Sequence, residues 1–279
     1  MTIAISMKIN DGIILATDSS STIFGKNEEG IDEVHHTYFT ADKLFNIKKG
    51  SPIGVMTWGE GSINNESIST LIKDFRKESA KIDYVSVMDT SHSFKKFLEE
   101  KISNDESIGF LLAGYSNEGD QEIILINVDC GNVENPVELN KDDPLAVLWF
   151  GDTDFITRYL LGFDERLSII LKNNNVDDDV IEDIISNCKD DLQLPLGVPA
   201  MPIQDAIDLV RFLADISVNS SRFVPGAQVI GGSIDIAVIT KHEGFKWISR
   251  KHYYNQNLNI TTGGKWKWNM VFQHLKIPH

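Results

Sequence analysis

Thr2 follows the initiator methionine directly and opens an alternating, strand-like stretch, MTIAISMKIN. A threonine hydroxyl is a weak nucleophile, so a neighbouring base must take its proton. A threonine at the start of a chain carries that base itself, because its α-amine has an ordinary pKa of about 7.7 to 8.0. The small side chain at position 2 favours removal of Met1 by the housekeeping aminopeptidase. Thr2 therefore predicts a self-activated nucleophile.

The place of Asp18 relative to Thr2 depends on the turn between the first two predicted strands. A two-residue loop, Asp11-Gly12, pairs residues whose numbers sum to 23 and puts Asp18 on the face opposite Thr2. A three-residue loop with Gly12 left-handed makes the sum 22, so that Thr2 faces Ser20 and Asp18 is its diagonal neighbour. Diagonal neighbours lie about 7 to 8 Å apart by backbone, near enough for polar side chains to share a site. We expect the second register.

The composition limits the classes of partner and the compartment. The chain has 279 residues, 42% of them hydrophobic, which is enough for a sizeable core. A formal charge of -15 repels phosphate backbones and anionic lipid, so neither nucleic acid nor a membrane surface is an expected partner. Cys130 and Cys188 lie far apart in the chain, which favours a reducing compartment. With no signal peptide and no apolar run near the roughly 20 residues of a membrane span, we expect a cytoplasmic protein.

The hydrophobic pattern predicts strands, two helices, strands, helices and again strands. A period of 2 marks strands and a period of 3.6 marks helices, as at Ile68, Leu71, Ile72 and Phe75. This order predicts a layered α+β architecture rather than a parallel βαβ sheet. Predicted strands are residues 3–9, IILATDS, ADKLFNI, PIGVMTW, SIGFLLAGYS, QEIILINV, GGSIDIAVIT and FKWIS; predicted helices are 68–75, 90–102, 153–161 and one from Pro202. AVLWFG is a further apolar stretch, residues 23–40 are predicted as a polar excursion and 163–200 as a charged helical segment.

Several segments together resemble the proteasome β-type subunits, which are N-terminal-nucleophile hydrolases, and among bacterial relatives the proteasome-like peptidases of the Anbu type. DGIILATDSSST, ADKLFNI and IGVMTWGEG carry the likeness over most of residues 2–130. It resumes over 202–250 with IQDAIDLVRFLADISV, GGSIDIAVIT and FKWI. The resemblance implies a four-layer αββα sandwich of two antiparallel sheets across residues 2–250. On this view 163–200 is a helical insertion and 251–279 a C-terminal extension.

The resemblance also implies roles for individual residues. Thr2 matches the family's nucleophile and Asp18 matches the aspartate of the second strand. Lys43 matches the lysine that pairs with this aspartate. A cation near Thr2 lowers the pKa of its amine and hydroxyl, while the Asp18 carboxylate holds that cation in place. Gly59 is the match for the glycine whose backbone N–H stabilises the oxyanion, with Trp58 one residue away as the alternative.

Two supporting segments depart from the family pattern. Phe150 stands where the G-S-G segment has its serine, and residues 227–232 read AQVIGG, without the aspartate and serine of D-A-Y-S-G-G. Both serve the terminal amine in the family. Asp152, Thr153 and Ser233 are the nearby polar residues that could replace them.

The sequence therefore predicts a threonine-type peptidase that cleaves peptides or unfolded chains through an acyl-enzyme on Thr2. The resemblance implies self-assembly into a ring or stacked array, and an ATPase partner stays open. No cofactor or metal is expected, since His35-His36 fits an exposed loop and Asp177-Asp178-Asp179 fits a helix start. Two alternatives remain: a catalytically silent scaffold or binding subunit, and a small-molecule amidase on the same fold.

Overall fold

The computed structural model describes residues 2–26, 30, 32–82, 86–103 and 105–252. Met1 and all but the first two residues of the predicted extension at 251–279 lie outside that part. The first half of the chain forms β1 (Ile3–Ile9), β2 (Gly12–Thr17), β3 (Ser21–Lys26), β4 (Asp32–Tyr38), β5 (Leu44–Asn46), β6 (Ile53–Gly59), β7 (Ser62–Ile63), β8 (Glu66–Ser67), α1 (Ile68–Glu78) and α2 (Val87–Lys101). The second half forms β9 (Ile108–Tyr115), β10 (Gln121–Asp129), β11 (Asn132–Val133), β12 (Val137–Glu138), β13 (Ala146–Gly151), α3 (Asp154–Leu161), α4 (Arg166–Asn173), α5 (Asp178–Leu192), α6 (Ile203–Ser221), β14 (Asp235–Thr240) and β15 (Gly244–Ser249).

Two antiparallel sheets make up the centre of the structure. One has the strand order β13-β1-β2-β14-β15, and the other has β11-β10-β9-β6-β5 with β12 beside β10. Two short ribbons, β3-β4 and β7-β8, stand apart from them. Antiparallel sheets with helices grouped between the strand runs confirm the predicted α+β class.

Three hydrophobic clusters pack the helices and sheets together. The first joins α1 and α2 to the six-stranded sheet, with Phe94 against Phe110. The second joins α3 and α6 to the five-stranded sheet, where Ile5 and Val210 are both fully buried. The third contains residues of both sheets, among them Leu15 and Leu111. Burying each such side chain contributes about 1.5–3 kcal/mol, so the second and third clusters, which both contain residues of β1 and β2, hold these two strands on both faces.

The register of β1 against β2 differs from both predicted alternatives. Ala4 pairs with Thr17 and Ile9 with Gly12, so the loop is Asn10-Asp11 and the paired numbers sum to 21. Gly12 is a strand residue rather than a left-handed turn residue. A β-carbon there would lie 3.0 Å from the Ile239 carbonyl oxygen of β14, so the glycine permits close strand approach. The expected diagonal placement of Asp18 beside Thr2 is wrong; Asp18 follows β2 opposite Ile3.

Other segments match or correct the sequence-based expectations. The predicted polar excursion at 23–40 is wrong in part, because β3 and β4 pair there in a ribbon with a register shift between Ile23 and Phe24. The shift breaks the alternation that would reveal the strands. The second helix begins at Val87, earlier than predicted, because Ser86 Oγ caps it by accepting from the Asp89 N–H at 2.9 Å. Within the described residues, no helix combines the length and apolarity that crossing a bilayer requires.

Candidate active site

Thr2 lies at the entrance of β1, buried against the end of β13. Only 3% of its surface is exposed. The Asp152 N–H donates to the Thr2 carbonyl oxygen at 2.6 Å. Gly151, which pairs with Ile3, has φ +90°. A β-carbon at position 151 would lie 2.9 Å from the Thr2 carbonyl carbon and closer still to its oxygen, so only glycine fits.

Asp18 is fully buried directly after β2, and its carboxylate meets five donor atoms. Oδ1 accepts from Lys43 Nζ at 2.6 Å and from the Ile3 N–H at 3.2 Å. Oδ2 accepts from the Ser20 N–H at 3.1 Å, from Ser20 Oγ at 2.6 Å and from the Gly231 N–H at 3.0 Å. These donors hold both carboxylate oxygens in place. Because Ile3 is the residue after Thr2, one oxygen connects the Lys43 ammonium to the start of β1.

Lys43 is the cation of this group and is 6% exposed. Burial lowers the pKa of its ammonium; the neighbouring Asp18 carboxylate opposes that shift, and the charge of Lys251 adds to it. A buried ion pair has little net stability of its own, but removal of one partner leaves an uncompensated charge. The pair therefore fixes the position of both side chains next to the start of β1.

A second ion cluster lies next to Lys43. Lys251 Nζ contacts the Asp235 carboxylate and lies 3.6 Å from Asp42 Oδ1. The Lys251 N–H also donates to Asp235 Oδ1 at 3.0 Å. Since Asp42 precedes Lys43 in the chain, this cluster connects the end of β15 to the segment that carries the buried lysine.

Gly59 ends β6 and faces the next strand. It pairs with Ile108 and has φ +92°, and a β-carbon there would lie 2.7 Å from the Ser107 carbonyl oxygen. Its connection to the ion pair runs along β6, because the Thr57 N–H donates to the Lys43 carbonyl at 3.0 Å. The structure thus joins Asp18 directly to the start of β1 and joins Lys43 to it through Asp18. Gly59 is connected to Lys43 through its strand.

The positions that depart from the family pattern have their own contacts. The ring of Phe150 stacks on Trp58, with centroids 4.3 Å apart and an interplanar angle of 12°. Among the predicted substitutes, Asp152 contacts Thr2 through its main chain, and the Ser233 carbonyl accepts from Ser19 Oγ at 2.5 Å. Burial raises the pKa of the Asp152 carboxyl, and the charge of Asp154 raises it further.

Sequence reasoning missed three residues that donate to Asp18, namely Ile3, Ser20 and Gly231. Ser20 belongs to the quoted DSSST stretch, and an aspartate side chain often accepts from the backbone N–H two residues further on. That spacing could have identified Ser20. The Gly231 N–H comes from a distant loop and has no side-chain signal, so the sequence alone does not identify it.

Solved structures with the same fold support the resemblance. The ancestral β-subunit Anbu from Yersinia bercovieri aligns with a TM-score of 0.55 and 13% identity, over 90% of this chain and 89% of that chain. The Anbu complex from Pseudomonas aeruginosa, a helical assembly, gives 0.54 and 16%, over 90% and 88%. A Gly-1 mutant of Anbu from Hyphomicrobium sp. strain MC1 gives 0.53 and 13%, over 92% and 91%. At these identities the likeness is one of fold.

No protein-family model and no curated protein matches the sequence. The resemblance to Anbu is therefore confirmed through the three-dimensional structure, at the level of the fold.

Proposed function

We propose that this protein is a threonine-type peptidase whose nucleophile is Thr2 after the Met1–Thr2 bond has been cleaved. One observation carries the proposal. The buried Asp18 carboxylate holds Lys43 Nζ at 2.6 Å and, through the same oxygen, the N–H that follows Thr2. A buried cation fixed beside an N-terminal threonine is the arrangement that favours the deprotonated amine and hydroxyl.

The reaction proceeds through an acyl-enzyme. The free amine of Thr2 takes the hydroxyl proton while Oγ attacks the carbonyl carbon of the scissile amide. Collapse of the tetrahedral intermediate breaks the C–N bond, and the leaving amine receives the proton. Water then attacks the ester, again giving a proton to the Thr2 amine, and Oγ leaves with a proton. The Gly59 N–H is the proposed donor to the oxyanion.

The finer architecture and setting belong to the same proposal. The three clusters support a four-layer αββα sandwich as one domain over 2–250, with α4 and α5 as an insertion and 251–279 as an extension. The helical assembly formed by the Pseudomonas aeruginosa complex supports self-assembly of this chain, which would restrict substrates to peptides or unfolded polypeptides. Cys130 and Cys188 are free thiols, which supports a cytoplasmic location.

Intact mass combined with covalent labelling tests the proposal. An α′,β′-epoxyketone peptide closes a ring with a hydroxyl and an amine on neighbouring carbons, so it reports a processed N-terminal threonine. We expect the purified chain to lack Met1, to gain one label, and to cleave fluorogenic peptides at a rate that the label abolishes. An unprocessed chain that cleaves peptides, or a processed chain that neither labels nor cleaves, would overturn the proposal.

A catalytically silent scaffold is the second candidate, and the Phe150–Trp58 stack favours it. Phe150 stands where the family has a serine that supports the amine, and its ring stacks on Trp58. On this reading the buried ion pair only stabilises the fold. A processed chain that assembles yet neither labels nor cleaves peptides or small amides identifies the scaffold. Cleavage of small amides without cleavage of peptides identifies the amidase.

A further inference from the structure

A basic cavity of about 660 Å³ lies beside the second ion cluster, between β5, α1 and the end of β15. Five lysine and arginine side chains line it, against a single carboxylate, in a chain whose formal charge is -15. The cationic residues are Lys49, Lys73, Arg76, Arg250 and Lys251, and the carboxylate is Asp42. Such a concentration of positive charge is the reverse of what the whole chain shows.

Most of these cations have no anionic partner. Arg76 donates through Nε to the Asn46 carbonyl at 3.1 Å, and Arg250 lies over the Trp247 ring, 4.7 Å from its centroid. Both interactions fix a guanidinium without neutralising it. Among the described residues, no carboxylate forms an ion pair with Arg76, Arg250, Lys49 or Lys73. Lys251 is the lining cation that Asp235 and Asp42 do pair.

The two arginines also repel each other. Burial lowers the pKa of the Arg76 guanidinium, and the positive charge of Arg250 lowers it further. Like charges held close in a partly desolvated wall are unfavourable unless an anion lies between or beside them. An anion bound in the cavity therefore reduces the repulsion between these positive charges.

The side chains of residues 253–279 include no carboxylate. Residues 253–279 contain three lysines and neither aspartate nor glutamate. A planar guanidinium binds phosphate oxygens through paired hydrogen bonds, and lysine binds them as a point charge. The volume lies within the roughly 300–1,000 Å³ of small-molecule sites. The cations lie apart, after β5, on α1 and after β15, and this separation calls for a ligand with several charges.

We propose that this cavity binds a small molecule carrying two or more phosphate groups, with Arg76 and Arg250 on one phosphate and Lys49 and Lys73 on another. The site is separate from the Thr2 group, so the inference does not depend on amide hydrolysis. Free polyphosphate and a nucleoside triphosphate both carry several phosphate groups. The cavity favours the nucleotide only if its base stacks on the aromatic wall formed by Phe245 and Trp247.

Titration calorimetry with inorganic tripolyphosphate and with ATP tests the inference at low and at physiological salt. We expect saturable binding of one ligand per chain that weakens as salt rises. The double variant Lys49→Gln/Lys73→Gln should raise the dissociation constant at least tenfold. Neither lysine makes a hydrogen bond or ion pair with another described residue, so this variant should fold normally.

The matched control is Lys96→Gln/Lys189→Gln, which changes the net charge equally at exposed positions outside the cavity. It should bind as the parent does. Absence of saturable binding by either probe, or equal weakening in both double variants, would overturn the inference. Tighter binding of a polyglutamate peptide than of tripolyphosphate would reject a phosphate ligand in favour of an acidic polypeptide. Equal affinity for ATP and tripolyphosphate assigns recognition to the phosphates alone.

Discussion

Gly151 packs against Thr2 so closely that no side chain fits between them. At its φ of +90° a β-carbon would overlap the Thr2 carbonyl, and the next residue, Asp152, donates its N–H to that carbonyl oxygen at 2.6 Å. The end of β13 therefore fixes the main chain of the proposed nucleophile from one side, while Asp18 holds the Ile3 N–H from the other.

Replacement of Gly151 tests this packing. Gly151→Ala adds both an unfavourable φ and an overlap with Thr2, whereas Gly50→Ala, at φ +86° with no atom within 4 Å, adds the φ alone. We expect Gly50→Ala to lower the free energy of unfolding by about 1 kcal/mol and Gly151→Ala by clearly more. Urea unfolding measures both. Equal losses would mean that the overlap with Thr2 contributes nothing to the destabilisation.

Removal of the buried carboxylate should destabilise the fold as well as the site. Asp18→Asn leaves the Lys43 ammonium buried without its counter-charge, so we expect a loss of about 3–5 kcal/mol in the free energy of unfolding. The exposed Asp183→Asn is the matched control and should be within about 0.5 kcal/mol of the parent. The double variant Asp18→Asn/Lys43→Met should recover part of the loss, because it also removes the unpaired ammonium. If the double variant is less stable than Asp18→Asn, the loss of stability is not due to the unpaired Lys43 charge.

The hydroxyl of Thr2 should be required for peptide cleavage. Thr2→Ser retains a hydroxyl on the same carbon and should retain measurable turnover, while Thr2→Ala should lower kcat by at least a thousandfold, because no nucleophile remains. Thr70→Ala, on the exposed side of α1, should leave kcat unchanged. Fluorogenic peptide assays on chains whose N-terminus has been verified by mass provide the measurement, and full activity of Thr2→Ala would reject the nucleophile.

The stability of the protein should depend on pH through Asp152. Burial and Asp154 raise the pKa of this carboxyl above its ordinary 3.8, so its ionised form is disfavoured in the folded chain. The penalty is full at pH values above the raised pKa and disappears as the pH falls toward the ordinary value. Asp152→Asn should therefore stabilise the protein at pH 7 and lose that advantage near pH 4. Chemical denaturation at both pH values measures it, and an advantage that grows on acidification would show the opposite shift.

Periodicity predicts the elements that are amphipathic or buried throughout, including β1, β6, α1 and α6. The side-chain contact between Asp18 and Lys43 is expected from the resemblance and occurs in the structure; the catalytic role of the pair stays a prediction. The turn register is not predictable in this way, because it depends on how Gly12 packs against Ile239 far along the chain. Main-chain donors such as the Gly231 N–H leave no trace in residue type.

The residues that donate hydrogen bonds to the Asp18 carboxylate are synthesised at widely separated times. Ile3, Ser20 and Lys43 emerge from the ribosome early, whereas Gly231 lies 213 residues after Asp18. The carboxylate therefore obtains its complete set of hydrogen bonds only after residue 231 has been synthesised. A nascent chain shorter than this lacks one of the donors that hold Asp18 next to the start of β1.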